Sequence, residues 1–529
     1  MTDIKMLVEE LVAYALDRNL IEAPDAVYSR NLLMDLLKLE EPAEGIEQGQ
    51  PPVEAFEAAR AKCTGLTPQP ILDEILDYAV EAGILEDDTV TLRDLMDARI
   101  MGFFMARPSD LVHTFWKNYE ESPEKASEYF YDQSRASHYI MTERVAKNLY
   151  WTAPTPYGDL EITVNLSKPE KDPREIAKLK YLKSSSYPKC MLCIENVGYQ
   201  GRLNHPARQN LRQIPMYLNN ENWYLQYSPY VYYNEHCILL KGEHVPMKIN
   251  VDTFRRLFAF IEVLPHYFIG SNAGLPVVGG SILSHEHYQG GHHVFPMEKA
   301  SIRASYTHPE HPEVSIGLIN WQMAGIRLAG KEKDRVIALA EHFLNAWEAY
   351  TDEDACILAE TIENGVPTPH NAITPIARFN AKGEYEIDLV LRNNLTSEEF
   401  PDGIYHPHPH LHHIKKENIG LIEVMGLAVL PGRLEKELKL IASLLTGEKT
   451  LDQFDAAEQE SLEKHMDWIH AMQAQYGIVA SREEAEEIVR QEVGRKFSEV
   501  LECAGVYKNT PEGYAAIDRF MTSAGCVRS

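Results

Sequence analysis

Positive charge is what this chain has least of. Its 51 lysines and arginines stand against 79 aspartates and glutamates, a formal net charge of −28 over 529 residues. A body that acidic repels polyanions, which excludes nucleic acid or an anionic membrane surface as its main partner. A phosphorylated small substrate would need a local basic or dipolar pocket. Long apolar runs are also missing, none approaching the roughly 18 residues of a membrane helix, so no membrane span is expected. The opening MTDIKMLVEELVAYAL is amphipathic and acidic, without the basic start and apolar core of a signal peptide. Cysteine is scarce: seven residues, an odd number, scattered singly except for Cys190 and Cys193. That pattern suits a reducing compartment with one candidate metal pair, not a disulfide framework. The expected location is the cytoplasm.

What is present is a globular composition, 44% hydrophobic and 25% charged, enough for a core in two or three structural units. Residues 1–150 read as helices, with Leu7, Leu11, Val12 and Leu16 on one apolar face and Ile71, Ile75, Leu76 and Val80 on another. A Pro/Gly/Glu-rich linker, 40–54, breaks this region, which carries no catalytic constellation and reads as a packing or dimer-facing layer. From Asp159 the texture changes. DLEITVNLS alternates like a strand, DPREIAKLKYL reads as a helix, and WYLQYSPYVYYNEHCILL suggests paired strands. A helix at 250–264 precedes a glycine-rich stretch and a strand in GGHHVFPM. A second unit starts near 314, with a helix at 333–349, a strand at 384–392 and a strand-like run at 419–430. Helices return from 433. Strands and helices mixed without regular βαβ alternation predict an α+β fold. The stretch 368–379 is polar and proline-bounded, with no role assigned.

The chemistry concentrates in Gly279-Gly-Ser281 and His285-Glu-His287-Tyr-Gln289. In an extended chain, residues two apart face one side, so His285, His287 and Gln289 project together. Flanking glycines let a ligand approach the backbone. A neutral imidazole is nucleophilic at one nitrogen when the other is hydrogen-bonded. A second histidine-alternating segment, 406–412, echoes the first and suggests two copies of one half-domain.

Asn272-Ala-Gly274, Gly279-Gly-Ser281 and His285-Glu-His287-Tyr-Gln289 resemble the N-x-G…G-x-S…H-P-H-G-Q text of galactose-1-phosphate uridylyltransferases, in the histidine-triad superfamily. One residue is inserted after the serine, and Glu286 and Tyr288 replace Pro and Gly. These departures, the N-terminal helices and the chain length look like the class II bacterial branch. The resemblance covers roughly residues 150–430. It implies two histidine-triad-like halves with antiparallel sheets, at 151–313 and 314–432, between a helical region 1–150 and a helical tail 433–529.

The resemblance further implies that His287 attacks the α-phosphorus of UDP-glucose and carries UMP to galactose 1-phosphate, a ping-pong transfer that excludes water. Gln289 would hydrogen-bond a phosphate oxygen without supplying a proton. Ser281 and the backbone at Gly279 would hold phosphate oxygens, and Asn272 would contact the uridine monophosphate. Lys416 aligns with a lysine near the hexose phosphate, and Glu423 with a sugar-hydroxyl contact. In the family these last two reach the active site of the other subunit, which implies a homodimer. Cys190-Met-Leu-Cys193 has the spacing of a zinc pair, though a lone CxxC is equally open to redox use or coincidence. The family pattern completes it with His244 and His285 as a structural zinc site, with His236 a competing ligand. No organic cofactor is expected. The register of a second metal among His406, His408, His410 and His412 stays open, as does a solvated loop. Arg202 and Arg208 read as phosphate ligands or surface ion pairs. The rival readings are a dinucleoside-polyphosphate phosphorylase or related nucleotidyl transferase, and a non-enzymatic zinc-binding scaffold.

Overall fold

The computed structural model describes residues 3–167, 185–280, 282–363 and 365–529, so the helix expected at 172–182 lies outside the described residues. The chain divides into two compact units. One comprises Met1–Lys147 and Ser167–Val245, the other Asn148–Leu166 and Pro246–Ser529. Among the described residues no helix is long and apolar enough to cross a membrane.

The first unit opens with helices Ile4–Asp17, Ala26–Leu36, Val53–Lys62, Gln69–Glu81, Val90–Gly102, Pro108–Tyr119 and Pro123–Ala136. Asp3 starts the first by accepting the Lys5 backbone N–H at 3.1 Å, satisfying one of the amides a helix N-terminus leaves unpaired. Leu7, Leu11 and Val12 bury their stripe in one core with Ile71, Ile75 and Leu76. The apolar spacing read from sequence is therefore the packing face itself. Strands β3 (Ile214–Leu218), β4 (Glu221–Tyr227) and β5 (Cys237–Lys241) follow as an antiparallel meander. The aromatic run at 223–240 supplies the last two, with Trp223, Leu225, Tyr227, Cys237 and Leu239 all buried.

In the second unit, β1 (Leu149–Thr155) pairs antiparallel with β2 (Gly158–Asn165). The remaining strands are β6 (Phe268–Gly270), β7 (His287–Gly291), β8 (Ile302–Thr307), β9 (Ser315–Ile319), β10 (Gly325–Gly330), β11 (Glu360–Glu363), β12 (Val366–Pro369), β13 (Asn371–Phe379), β14 (Tyr385–Asn393), β15 (Leu427–Pro431) and β16 (Val527–Arg528). β15 adds to β2 in parallel, while β11 and β12 form a separate hairpin. The main run of this unit is β16-β8-β9-β10-β14-β13-β6-β7, antiparallel throughout. The helices Val251–Val263 and Lys333–Glu348 pack on it. Helices resume at Leu434. The fold is α+β.

Three local expectations change. The run 419–430 is a short helix, Leu421–Val424, followed by β15, because Glu423 turns back to accept the Gly420 N–H. The strand near 290 is His287–Gly291 and stops before His292. The polar stretch 368–379 supplies β13, a central strand paired residue for residue with β14. With the β11–β12 hairpin set aside as an insertion, the order hairpin, helix, strand, strand occurs twice: β4-β5, Val251–Val263, β6, β7, then β9-β10, Lys333–Glu348, β13, β14. By that order β14, not the 406–412 segment, is the counterpart of the His287 strand.

Candidate active site

His287 opens β7, beside a chain that glycine lets fold tightly. A Cβ at Gly279 would stand 2.4 Å from the Ala273 carbonyl oxygen and 2.6 Å from that of Leu275. One at Gly280 would stand 2.6 Å from the Asn272 side-chain nitrogen. Any other residue would push this loop apart, so these glycines close the turn that brings Asn272 against Gly280. Ser281 lies outside the described residues.

The His287 ring is buried, and its Nδ1 lies 2.8 Å from the His285 carbonyl oxygen. A carbonyl can only accept, so Nδ1 carries the proton and the lone pair is left on Nε2. Burial pushes the ring down to about 4, against the opposing pull of that carbonyl. The ring is therefore neutral near pH 7. Gln289 follows two residues on, across from Gly270 of β6.

Alternation sends Glu286 and Tyr288 to the other side of β7. There Arg256, from the Val251–Val263 helix, donates through Nη1 to Glu286 Oε1 at 2.8 Å. Tyr288 donates to the same oxygen at 3.2 Å. Arg256 was invisible to sequence reading, since its partner lies thirty positions away with no motif joining them.

Around Asn272 a second polar group assembles. Asn272 Oδ1 accepts the Leu421 N–H at 2.8 Å. Glu423 accepts from Gly420 N–H at 3.2 Å and from Lys415 Nζ at 3.0 Å. Arg392 of β14, wholly buried, donates to the Ile419 carbonyl at 2.9 Å. The sequence reading singled out Lys416, whose side chain is exposed, whereas the neighbouring Lys415 is the buried partner of Glu423.

The cysteine pair sits in a knuckle. Cys190 and Cys193 sulfurs are 3.6 Å apart, and Cys193 Sγ is 3.1 Å from His244 Nδ1. Donor atoms of Cys190, Cys193, His244 and His285 all lie within 4.8 Å of one another. Zinc–ligand bonds of roughly 2.0–2.3 Å in a tetrahedron require ligand edges of about 3.3–3.8 Å. Two thiols and two imidazoles at these separations can hold a metal ion. Burial pushes the Cys190 thiol up to about 11, so a cation is the group that would draw off its proton. Asn196 braces the turn by donating to the carbonyls of Cys190 and Cys193 at 2.9 and 2.8 Å, and His205 holds Asn196 at 2.6 Å. His236 is absent from the four-donor group.

His408 and His412 are occupied locally. His408 stacks on Phe400 at 4.2 Å and its Nε2 reaches the Ile404 carbonyl, while His412 Nε2 reaches that of Pro407 at 2.8 Å. Among the described residues only the Cys190 group brings three or more such donors together. Arg202 binds Asn204, Tyr199 and the Tyr187 carbonyl, and Arg208 lies over the Tyr139 ring.

Comparison with known proteins adds two family matches. The galactose-1-phosphate uridyl transferase N-terminal domain matches residues 20–246 and the C-terminal domain residues 261–468. Galactose-1-phosphate uridylyltransferase of Caldanaerobacter subterraneus subsp. tengcongensis is 55% identical over 99% of this chain and 98% of its own. That of Halalkalibacterium halodurans is 52% identical over 99% of each, and that of Bacillus subtilis 48% identical over 98% of this chain and 97% of its own. A crystal structure of yeast Ap4A phosphorylase Apa2 overlaps at a TM-score of 0.30 and 13% identity, covering 56% of this chain and 87% of that one.

Proposed function

Because the chain belongs to the galactose-1-phosphate uridylyltransferase family, we propose that it exchanges UMP between UDP-glucose and galactose 1-phosphate through His287. Nε2 of His287 attacks the α-phosphorus of UDP-glucose. An N–P bond forms, the bond to the bridging oxygen breaks, and glucose 1-phosphate leaves as an anion that needs no proton. The phosphate oxygen of galactose 1-phosphate then attacks the same phosphorus, the N–P bond breaks, and UDP-galactose leaves. Two displacements at one nucleophile return the ring to its starting state. The observation that carries this reading is the 2.8 Å contact between Nδ1 and the His285 carbonyl in a buried, neutral ring. That contact aims one lone pair and shares the positive charge that grows on the imidazole during attack.

Gln289 stabilises the crowded phosphorus with neutral hydrogen bonds, and Asn272, Glu423 and Lys416 serve substrate binding. The exposure of Lys416 suits the family's use of that lysine in the neighbouring subunit, hence a homodimer, and the scattered, odd-numbered cysteines suit the cytoplasm. Cys190, Cys193, His244 and His285 would hold zinc, a structural ion that ties down the residue whose carbonyl orients His287. The test is intact mass after incubation with UDP-glucose. Wild-type protein gains one UMP. His287→Ala gains none and loses exchange, while His287→Gly regains transfer from an imidazole–UMP donor. A UMP adduct on His287→Ala would place the nucleophile elsewhere.

A further inference from the structure

The two residues flanking the nucleophile share one brace. Glu286 and Tyr288 point away from the substrate side of β7 into the Val251–Val263 helix, where Arg256 Nη1 lies 2.8 Å from Glu286 Oε1 and 3.3 Å from the Tyr288 hydroxyl. The hydroxyl closes the triangle at 3.2 Å from the same carboxylate oxygen. All three residues are buried, at 6%, 4% and 1% exposure for Arg256, Glu286 and Tyr288. Low dielectric strengthens such contacts and penalises any geometry that opens them.

We infer that Arg256 is a positioning residue for catalysis, holding the peptide between His285 and Glu286 so that its carbonyl keeps the His287 ring aimed. The inference rests on the proposed role of His287. The chain of cause is short. The His285 carbonyl that accepts from Nδ1 belongs to the peptide joining His285 to Glu286. The Arg256–Glu286 contact restrains the residue on one side of the nucleophile, and the Arg256–Tyr288 contact restrains the residue on the other. Neither side chain can swing without breaking a buried charge-assisted bond. The anchor itself is stiff. Asn250 and Thr253 cap the helix reciprocally, at 3.2 and 3.1 Å, three residues before Arg256. Phe254, Leu257, Phe258 and Ile261 bury its apolar face. A strand end as short as β7 has little rigidity of its own, and its carbonyl direction is a property lent by the helix.

A misplacement of about 1 Å in such a group can cost about a hundredfold in rate. The decisive variant is Arg256→Met combined with Glu286→Gln, which removes both charges of the pair together. The readouts are the single-turnover rate of UMP adduct formation, KM for UDP-glucose, and the 15N resonances of His287. The expected result is a rate lowered about a hundredfold, KM within a few fold of wild type, and loss of the single Nδ1–H tautomer. Arg256→Lys, which keeps the charge without the fork, should fall between. If the double variant denatures, Tyr288→Phe supplies the answer. It removes one arm at little volume cost and should slow adduct formation by a smaller factor at unchanged Tm. Folded variants that form the adduct at the wild-type rate, with the tautomer intact, would overturn the inference. The His287→Ala control separates the two claims: an adduct there overturns the nucleophile, whereas a slow Arg256 variant beside an adduct-free His287→Ala supports both.

Discussion

On the proposed mechanism, Gln289 is the residue at which a transferase and a hydrolase of this design would part. It stands two positions after His287 on the same side of β7 and offers only neutral hydrogen bonds. A donor aimed at a non-bridging phosphate oxygen acts in the transition state, and losing one such donor costs on the order of 2.7–4 kcal/mol, a factor of about 10²–10³ in rate. Gln289→Ala should therefore slow both half-reactions strongly while Tm moves little. Gln289→His should shorten the life of the isolated UMP adduct in buffer relative to transfer onto galactose 1-phosphate. Wild-type transfer by Gln289→Ala would remove this side chain from the phosphate. At this scale the sequence is legible wherever chemistry is written in local spacing. H-x-H-x-Q, CxxC and the paired glycines are each legible within a few residues. Arg256 and Lys415 carry no such local signature. Arg256 meets Glu286 through tertiary packing alone, and the choice between Lys415 and Lys416 depends on which side of an irregular segment faces inward.

Secondary elements show the same division. Periodicity located the helices because an apolar stripe at 3.6-residue spacing must be buried. β13 escaped because Pro375 sits in its middle and a proline argues against a central strand. The structure explains the exception. The Pro375 carbonyl accepts from Ser271 N–H at 3.0 Å, so the missing amide donor also faces β6. There the paired register is short, Ile376 with Gly270 and Ala377 with Ile269, and the ladder loses little. The histidine run at 406–413 supplies no strand. Instead its last member joins the helical tail: His413 Nδ1 lies 2.8 Å from His465 Nδ1, and His465 Nε2 lies 2.9 Å from Glu437. Burial, with His465, Lys496 and Arg433 nearby, pushes His413 down to about 3. Burial also lowers His465, against the pull of Glu437. The folded protein thus refuses protons that the unfolded chain accepts below about pH 6.5. Stability from these rings is complete above that value and falls as the pH drops below it, for His413 down toward about 3. Glu437, held down to about 2 by His465, Lys464 and Arg433, loses its own contribution only at lower pH, between its unfolded value near 4.5 and about 2. Thermal unfolding of wild type and His413→Gln at pH 7.5 and pH 5 measures this. The variant should lose less Tm on acidification, and equal losses would show that His413 is not a source of the acid sensitivity.

For the whole molecule the tension is between a net charge of −28 and a substrate that carries phosphate. Electrostatic attraction over long range cannot recruit such a substrate, so recognition must come from groups at the site, and their geometry must be held firmly. The cysteine–histidine group is one such hold. Purified protein should carry about one zinc per chain if the four donors form a single site. Cys190→Ser should lower both metal content and Tm, because metal affinity adds to the free energy of folding. Metal content unchanged in Cys190→Ser would exclude these ligands. The sequence by itself determined the mixed fold class, the helical opening and tail, and the H-x-H-x-Q and CxxC texts, since each follows from periodicity or spacing along a few residues; His244 and His285 were joined to the cysteines only by resemblance to the family. Only the tertiary structure decided that β13 is central, that β14 rather than the 406–412 histidines echoes β7, that Lys415 and Arg392 are the buried cations around Ile419–Glu423, and that Arg256 braces the strand of His287. Those outcomes depend on contacts between residues far apart in the chain. Such contacts are selected by burial and by the need of every buried charge and amide for a partner, and no local pattern encodes which distant residue will supply it.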